Sequence, residues 1–149
     1  MKPLLITLMI ASLLFASDLF AQTAQMQKEV ESTIESMIKC TQDSDLQKLM
    51  SFWHNGDDFT YIADGKTFSY EELQNLLNDY LLNKESIEVL KQTISVHALA
   101  QYKALCIWEG TEKVKMKDQE AVVMNWISTL VLENKKGGWV IIHGHTSHY

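Results

Sequence analysis

Arginine is absent from this chain, proline occurs once, at Pro3, and cysteine twice, at Cys40 and Cys106. Recognition of phosphate or nucleic acid leans on guanidinium forks and a basic face, and a chain of net charge -6 without arginine offers neither. Nucleic acid is therefore excluded as an expected partner. Two cysteines cannot staple a small disulfide scaffold. Both sit among apolar neighbours and read as buried thiols, although one disulfide is open to them in an oxidising compartment.

Long hydrophobic runs are equally scarce. The longest, Leu4 to Phe15, is shorter than the roughly 20 apolar residues that cross a bilayer. Preceded by Lys2 and followed by Leu19-Phe20-Ala21-Gln22, it fits a secretory signal cut after Ala21. Residues 1–21 are thus expected as a leader and 22–149 as one domain, with no cysteine at the cut to carry a lipid and no stable membrane anchor after cleavage. The expected product is a soluble periplasmic or secreted protein.

What is present is periodicity. From Thr23 to Cys40, Met26, Val30, Ile34, Met37 and Ile38 recur at helical spacing, and Asp43 or Ser44 can cap a second helix carrying Leu46, Leu49, Met50 and Trp53. Phe59 to Ala63 alternates as a short strand, Asp64-Gly65 is a hairpin turn, and the chain returns through Lys66-Thr67-Phe68. Ser69-Tyr70-Glu71-Glu72 is a capping box opening a third helix, with Tyr70, Leu73, Leu76, Leu77, Tyr80 and Leu81 on one side. From Ser86 the period changes to two. Ser86–Leu99, Tyr102–Lys117, Glu120–Leu132 and Trp139–His148 are long strands with short connections, which makes an antiparallel four-strand meander.

Several of these strands are apolar on both faces: Val122, Met124 and Trp126 alternate with Val123, Ile127 and Val131. Helices can cover only one face, so a second copy packed sheet to sheet is the expected cover for the other, giving a homodimer. On the last strand Trp139, Ile141, His143, His145 and Ser147 share a face that runs from apolar to polar, as a pocket wall would. His143 and His145, near Tyr61, can serve as acid and base near neutral pH, or as buried polar groups that fix the curvature of the sheet. His143-x-His145 is also a zinc spacing. A third ligand on that face is missing, since His148 belongs to the other side, and no metal is expected. Trp53, Tyr61 and Trp108 would supply an aromatic lining, and Asn125 and Thr129 the polar positions of the neighbouring strand.

The order of helices, short hairpin, third helix and long meander resembles the nuclear transport factor 2-like superfamily. Trp139-x-Ile141-x-His143-x-His145-x-Ser147 after a Gly-Gly turn is similar to the closing strand of its SnoaL-like branch, Trp108-x-Gly110 to the middle strand, and Phe59-Thr60-Tyr61-Ile62 before Asp64-Gly65 to the short first strand. The resemblance implies an α+β, cone-shaped fold with three N-terminal helices on a curved sheet and a cavity between them. Its members include polyketide cyclases, ketosteroid isomerases, dehydratases and oligomerisation domains, and the catalytic ones move protons with cavity acids, tyrosines or aspartate-histidine pairs. Asn125, Ile127 and Thr129 are not acids. The first expectation is therefore an exported domain that binds a small, largely apolar molecule without a cofactor, through Trp53, Tyr61, Trp108, Asn125, Thr129, His143, His145 and Ser147. The alternatives are a cofactor-independent cyclase, isomerase or dehydratase using His143, His145 and Tyr61, and a structural dimerisation domain.

Overall fold

In the computed structural model the backbone of residues 3–149 and the side chains of residues 22–149 are described. The side chains of the expected leader, residues 1–21, fall outside the described residues. Helix α1 (Pro3–Asp43) buries Met26, Val30, Ile34 and Met37 along one stripe, as their spacing predicts. It stops at Ser44, whose φ of 57° is left-handed and lets the Asp45 amide donate back to the Cys40 carbonyl at 2.9 Å.

Helix α2 (Leu46–Met50) is shorter than its apolar pattern suggests, and its cap is Asp45 rather than Asp43 or Ser44: the carboxylate accepts from the Lys48 amide at 3.0 Å. Trp53 leaves the helix because the chain there is captured by the sheet. The Ile141 amide donates to the Phe52 carbonyl at 2.8 Å and the His54 amide to the Ile141 carbonyl at 2.9 Å. Two backbone hydrogen bonds to a strand edge outweigh one more turn of a short helix.

Strands β1 (Thr60–Ala63) and β2 (Lys66–Phe68) form the hairpin, with Asp64 and Gly65 at φ 49° and 79° as a type I′ turn requires. Helix α3 (Tyr70–Asn83) opens on the complete capping box of Ser69 and Glu72. Strands β3 (Lys84–Ala100), β4 (Lys103–Met116), β5 (Val122–Lys135) and β6 (Gly138–His148) make the expected meander. The full sheet is curved and unclosed, in the order β2-β1-β6-β5-β4-β3, with β1 parallel to β6. The helices cover one face, where Val30, Ile34 and Leu73 join Ala104, Cys106, Leu130, Leu132 and Ile141 in one core. Both thiols are free and buried, and desolvation pushes that of Cys106 up to about 12.

One irregularity in β6 sets which of its side chains face the helices. Leu132 pairs with Ile141 while Val131 pairs with His143, so Ile142 is an extra residue without a partner across the ladder. Such a bulge shifts the alternation by one position, and every later side chain changes face. Trp139 and Ile141 are buried inward, and after the bulge the inward positions are Gly144, Thr146 and His148. Ile142 sits where β6 exchanges its pairing with the Trp53 segment for pairing with β1, which begins at Thr60–His143.

Candidate functional site

Between the helices and the covered face of the sheet lies a cavity of about 560 Å³, within the range of small-molecule sites. Met37 and Ile38 of α1, Leu73, Leu77 and Tyr80 of α3, and Trp53 line one side. Trp108 and Glu112 of β4, Trp126 and Ser128 of β5, and Thr146 and His148 of β6 line the other. Leu76, 41% exposed, and the side chains of Asp64 and His148, 53% and 38% exposed, place the mouth at the β1–β2 turn and the end of β6.

The aromatic residues pack mainly edge to face. Trp53 and Tyr61 have ring centroids 5.1 Å apart at 72°, and Trp108 and Trp126 are 5.3 Å apart at 71°, geometries that suit the ring quadrupoles. Gly110 is the gap between Trp108 and Glu112 into which Trp126 fits, since a Cβ there would strike both the Trp126 ring and the Lys91 carbonyl. The indole nitrogens of Trp53 and Trp126 are buried and have no acceptor among the described residues.

A polar line crosses the sheet beside them. Tyr61 Oη donates to Thr146 Oγ1 at 2.7 Å, and Thr146 Oγ1 lies 2.8 Å from Ser128 Oγ. Having accepted from the phenol, Thr146 has its own proton free for Ser128. Burial raises the Tyr61 pKa, so its proton stays in place at neutral pH.

At the mouth, Asp64 holds His148 twice. Its Oδ1 accepts from the His148 amide at 2.8 Å, and its Oδ2 lies 2.9 Å from His148 Nδ1. The amide hydrogen bond is the first cause that holds the Asp64 carboxyl below its ordinary range, so it is an anion and can only accept. Nδ1 must then carry the proton, which leaves Nε2 of the neutral ring as the free base. Further in, Glu112 is half-buried in the cavity wall, and desolvation raises its pKa. Tyr80, also raised by burial and then by the Glu112 charge, faces it from α3.

Of the expected site residues, Trp53, Tyr61 and Trp108 do line the cavity. His143, His145, Ser147, Asn125 and Thr129 do not line it: they belong to the opposite face of the sheet, where His145 pairs with Thr129 and with Ile62. On that face His145 Nε2 is 3.5 Å from Ser147 Oγ, and Asn125 Oδ1 accepts from Thr111 at 2.8 Å. For the β6 residues the bulge at Ile142 is the physical reason, since it moves His148 inward and the other two histidines outward; Asn125 and Thr129 face out because they alternate with the inward Trp126, Ser128 and Leu130 of β5. Trp108 faces in, so Glu109 faces out and Glu112, two alternations further on, is the acid that β4 turns to the cavity. Gly144 in mid-strand was the available sign of the irregularity. Asp64 was legible only as a turn residue, because its second role depends on a partner far along the chain.

The chain is recognised over residues 30–149 as a SnoaL-like domain. It belongs to that family. SnoaL-like domains share the cone-shaped NTF2-like fold, and solved structures agree over most of their length. A protein assigned as a dehydratase of the NTF2-like family from Streptomyces avermitilis superposes with a TM-score of 0.73 at 15% identity, over 85% of this chain and 98% of that one. One assigned as a scytalone dehydratase from Novosphingobium aromaticivorans gives 0.78 at 7% identity, over 87% and 88%. A hexachlorocyclohexane dehydrochlorinase from Novosphingobium barchaimii gives 0.71 at 12%, over 86% and 89%. At such identities the likeness carries the fold and nothing of the reaction. No curated protein sequence matches the chain.

Proposed function

We propose that this SnoaL-like domain binds a small, largely apolar molecule in the cavity between its helices and sheet. The observation that carries the reading is the wall itself: about 560 Å³ bounded by Trp53, Tyr61, Trp108 and Trp126 and by aliphatic side chains of α1 and α3. Filling it removes apolar surface from water at roughly 25 cal/mol per Å², and the Tyr61–Thr146–Ser128 line and His148 orient the guest. Native mass spectrometry of protein purified from the cells that make it is the direct test. A retained organic mass is the expected result. Failure of any apolar probe to quench the cavity tryptophans at saturating concentration would remove the reading.

A second reading, proton-transfer catalysis, is favoured by one specific observation: the Asp64–His148 pair at the mouth. With Nδ1–H held by Asp64, His148 Nε2 is placed to take a proton from a guest, and the ring then carries a charge that Asp64 stabilises. Dehydration and dehydrochlorination, the reactions for which solved structures of the same fold are named, are eliminations, and removal of a proton by a base is one half of an elimination. On this reading His148→Ala and Asp64→Asn each lower turnover by about 10²–10⁴-fold, while His143→Ala and His145→Ala do not.

Export and self-association complete the proposal. Residues 1–21 direct the chain out of the cytoplasm, and Ile107, Ile127 and Val131 on the uncovered sheet face meet a second copy. Sedimentation of the mature chain should give a dimer that Ile127→Asp splits.

A further inference from the structure

The charge of the guest is written into the wall of the cavity. No lysine is among the lining residues, and the chain has no arginine. Among the described lining residues the group able to become cationic is His148, and it is already matched to Asp64 at 2.9 Å. Glu112 is different. Its side chain makes no hydrogen bond and no ion pair among the described residues, yet it stands half-buried on the inward face of β4.

Among the described residues His148 is the group that answers its charge, and that ring is already held by Asp64. Strand β3 presents Ile87 and Val89, β5 presents Met124 and Trp126, and α1 presents Met37, Ile38 and Thr41. The titratable groups that face it are Tyr80 from α3 and His148 from β6. A carboxyl in such a place is costly when ionised and unmatched. An anionic guest would add a third negative charge to a cavity that already holds Asp64 and Glu112. A neutral guest would displace water from Glu112 and return at most a hydrogen bond, with no opposite charge. A guest with a protonated nitrogen supplies the missing partner, and Tyr80, Trp108 and Trp126 line the same space with aromatic rings, which attract cations.

We propose that the cavity takes a flat apolar molecule bearing a protonated amine, with the Glu112 carboxylate as its counter-ion; the inference rests on the binding reading above. The test uses three probes of one skeleton, naphthylethylamine, naphthylethanol and naphthylacetate, titrated into the full mature chain and followed by tryptophan fluorescence and calorimetry. The amine should bind about tenfold more tightly than the alcohol, and the acetate most weakly. Glu112→Gln, nearly isosteric and freed of a desolvated charge, should bring the amine to within about threefold of the alcohol. The alcohol, unchanged between the two proteins, reports that the cavity is intact, and Glu112→Asp should keep part of the amine preference. Binding of all three probes alike, or an amine preference that survives Glu112→Gln, would overturn the charge assignment and leave the binding reading standing. Binding of none would overturn both.

Discussion

The two faces of the sheet are interleaved residue by residue, yet they differ in kind. The covered face carries Trp108, Trp126, Ser128, Thr146 and His148, and the uncovered face carries Ile107, Ile127, Thr129, His143 and His145. Histidines and hydroxyls occur on both. The indole rings and a half-buried unpaired acid occur on the inner face, while the outer face holds β-branched side chains, the exposed Glu109 and paired polar groups such as Thr111–Asn125. A titratable residue type therefore says little about a site; the company it keeps, and the bulge that assigns its face, decide it.

The comparison breaks first at the core. Leu130→Ala, on the inner face at 2% exposure, should cost about 2–5 kcal/mol in urea unfolding. Ile127→Ala, three residues earlier on the outer face, should cost well under that in a monomer, and a large loss there would mean the outer face is covered. Gly144→Ala comes next. The added Cβ would sit 2.9 Å from a Tyr61 ring carbon and 3.0 Å from Leu130, and because Tyr61 is tied to Thr146 the ring cannot simply turn away, so a loss of about 1–3 kcal/mol is expected. His143→Ala and His145→Ala beside it should be near neutral. Tyr61→Phe, which removes the hydrogen bond to Thr146, should cost about 1 kcal/mol.

The smallest effects are the most diagnostic, because two carboxyls of one cavity respond to pH with opposite sign. The folded pKa of Asp64 lies below its ordinary value of 3.8. Its contribution is present above that value and is lost as pH falls through the folded pKa. Asp64→Asn should therefore lower Tm at neutral pH and converge with the parent in acid. The folded pKa of Glu112 lies above its ordinary 4.5. Stability is greatest below that value and declines as pH rises through the folded pKa, so Glu112→Gln should raise Tm at neutral pH and change nothing in acid. Thermal melts across pH check both signs together, and parallel curves for the two variants would contradict the contrast between mouth and wall.

Much of the architecture was legible because it is local. The stripe Met26, Val30, Ile34, Met37 needs only the helical repeat, the box at Ser69 and Glu72 only three residues of spacing, and the turn at Asp64-Gly65 only the tolerance of those residues for positive φ. That Trp139 and Ile141 share a face follows from period-two alternation, which is equally local. Beyond Ile142 that reasoning fails, since period-two counting carries no information about an unpaired residue. The bulge coincides with the place where the Trp53 segment hands β6 over to β1, two neighbours separated from β6 by most of the chain. Glu112 could be placed once Trp108 was known to face inward. The bond from Asp64 to His148 could not.

By itself, then, the sequence determined the order of the elements, the meander and the aromatic character of the cavity, because repeat and turn chemistry act over a few residues, while the end of α2 was set by the sheet. Only the tertiary structure decided which histidine faces the guest, that a turn aspartate holds it, and that a glutamate stands unpaired in the wall, because each depends on a register set where distant strands meet.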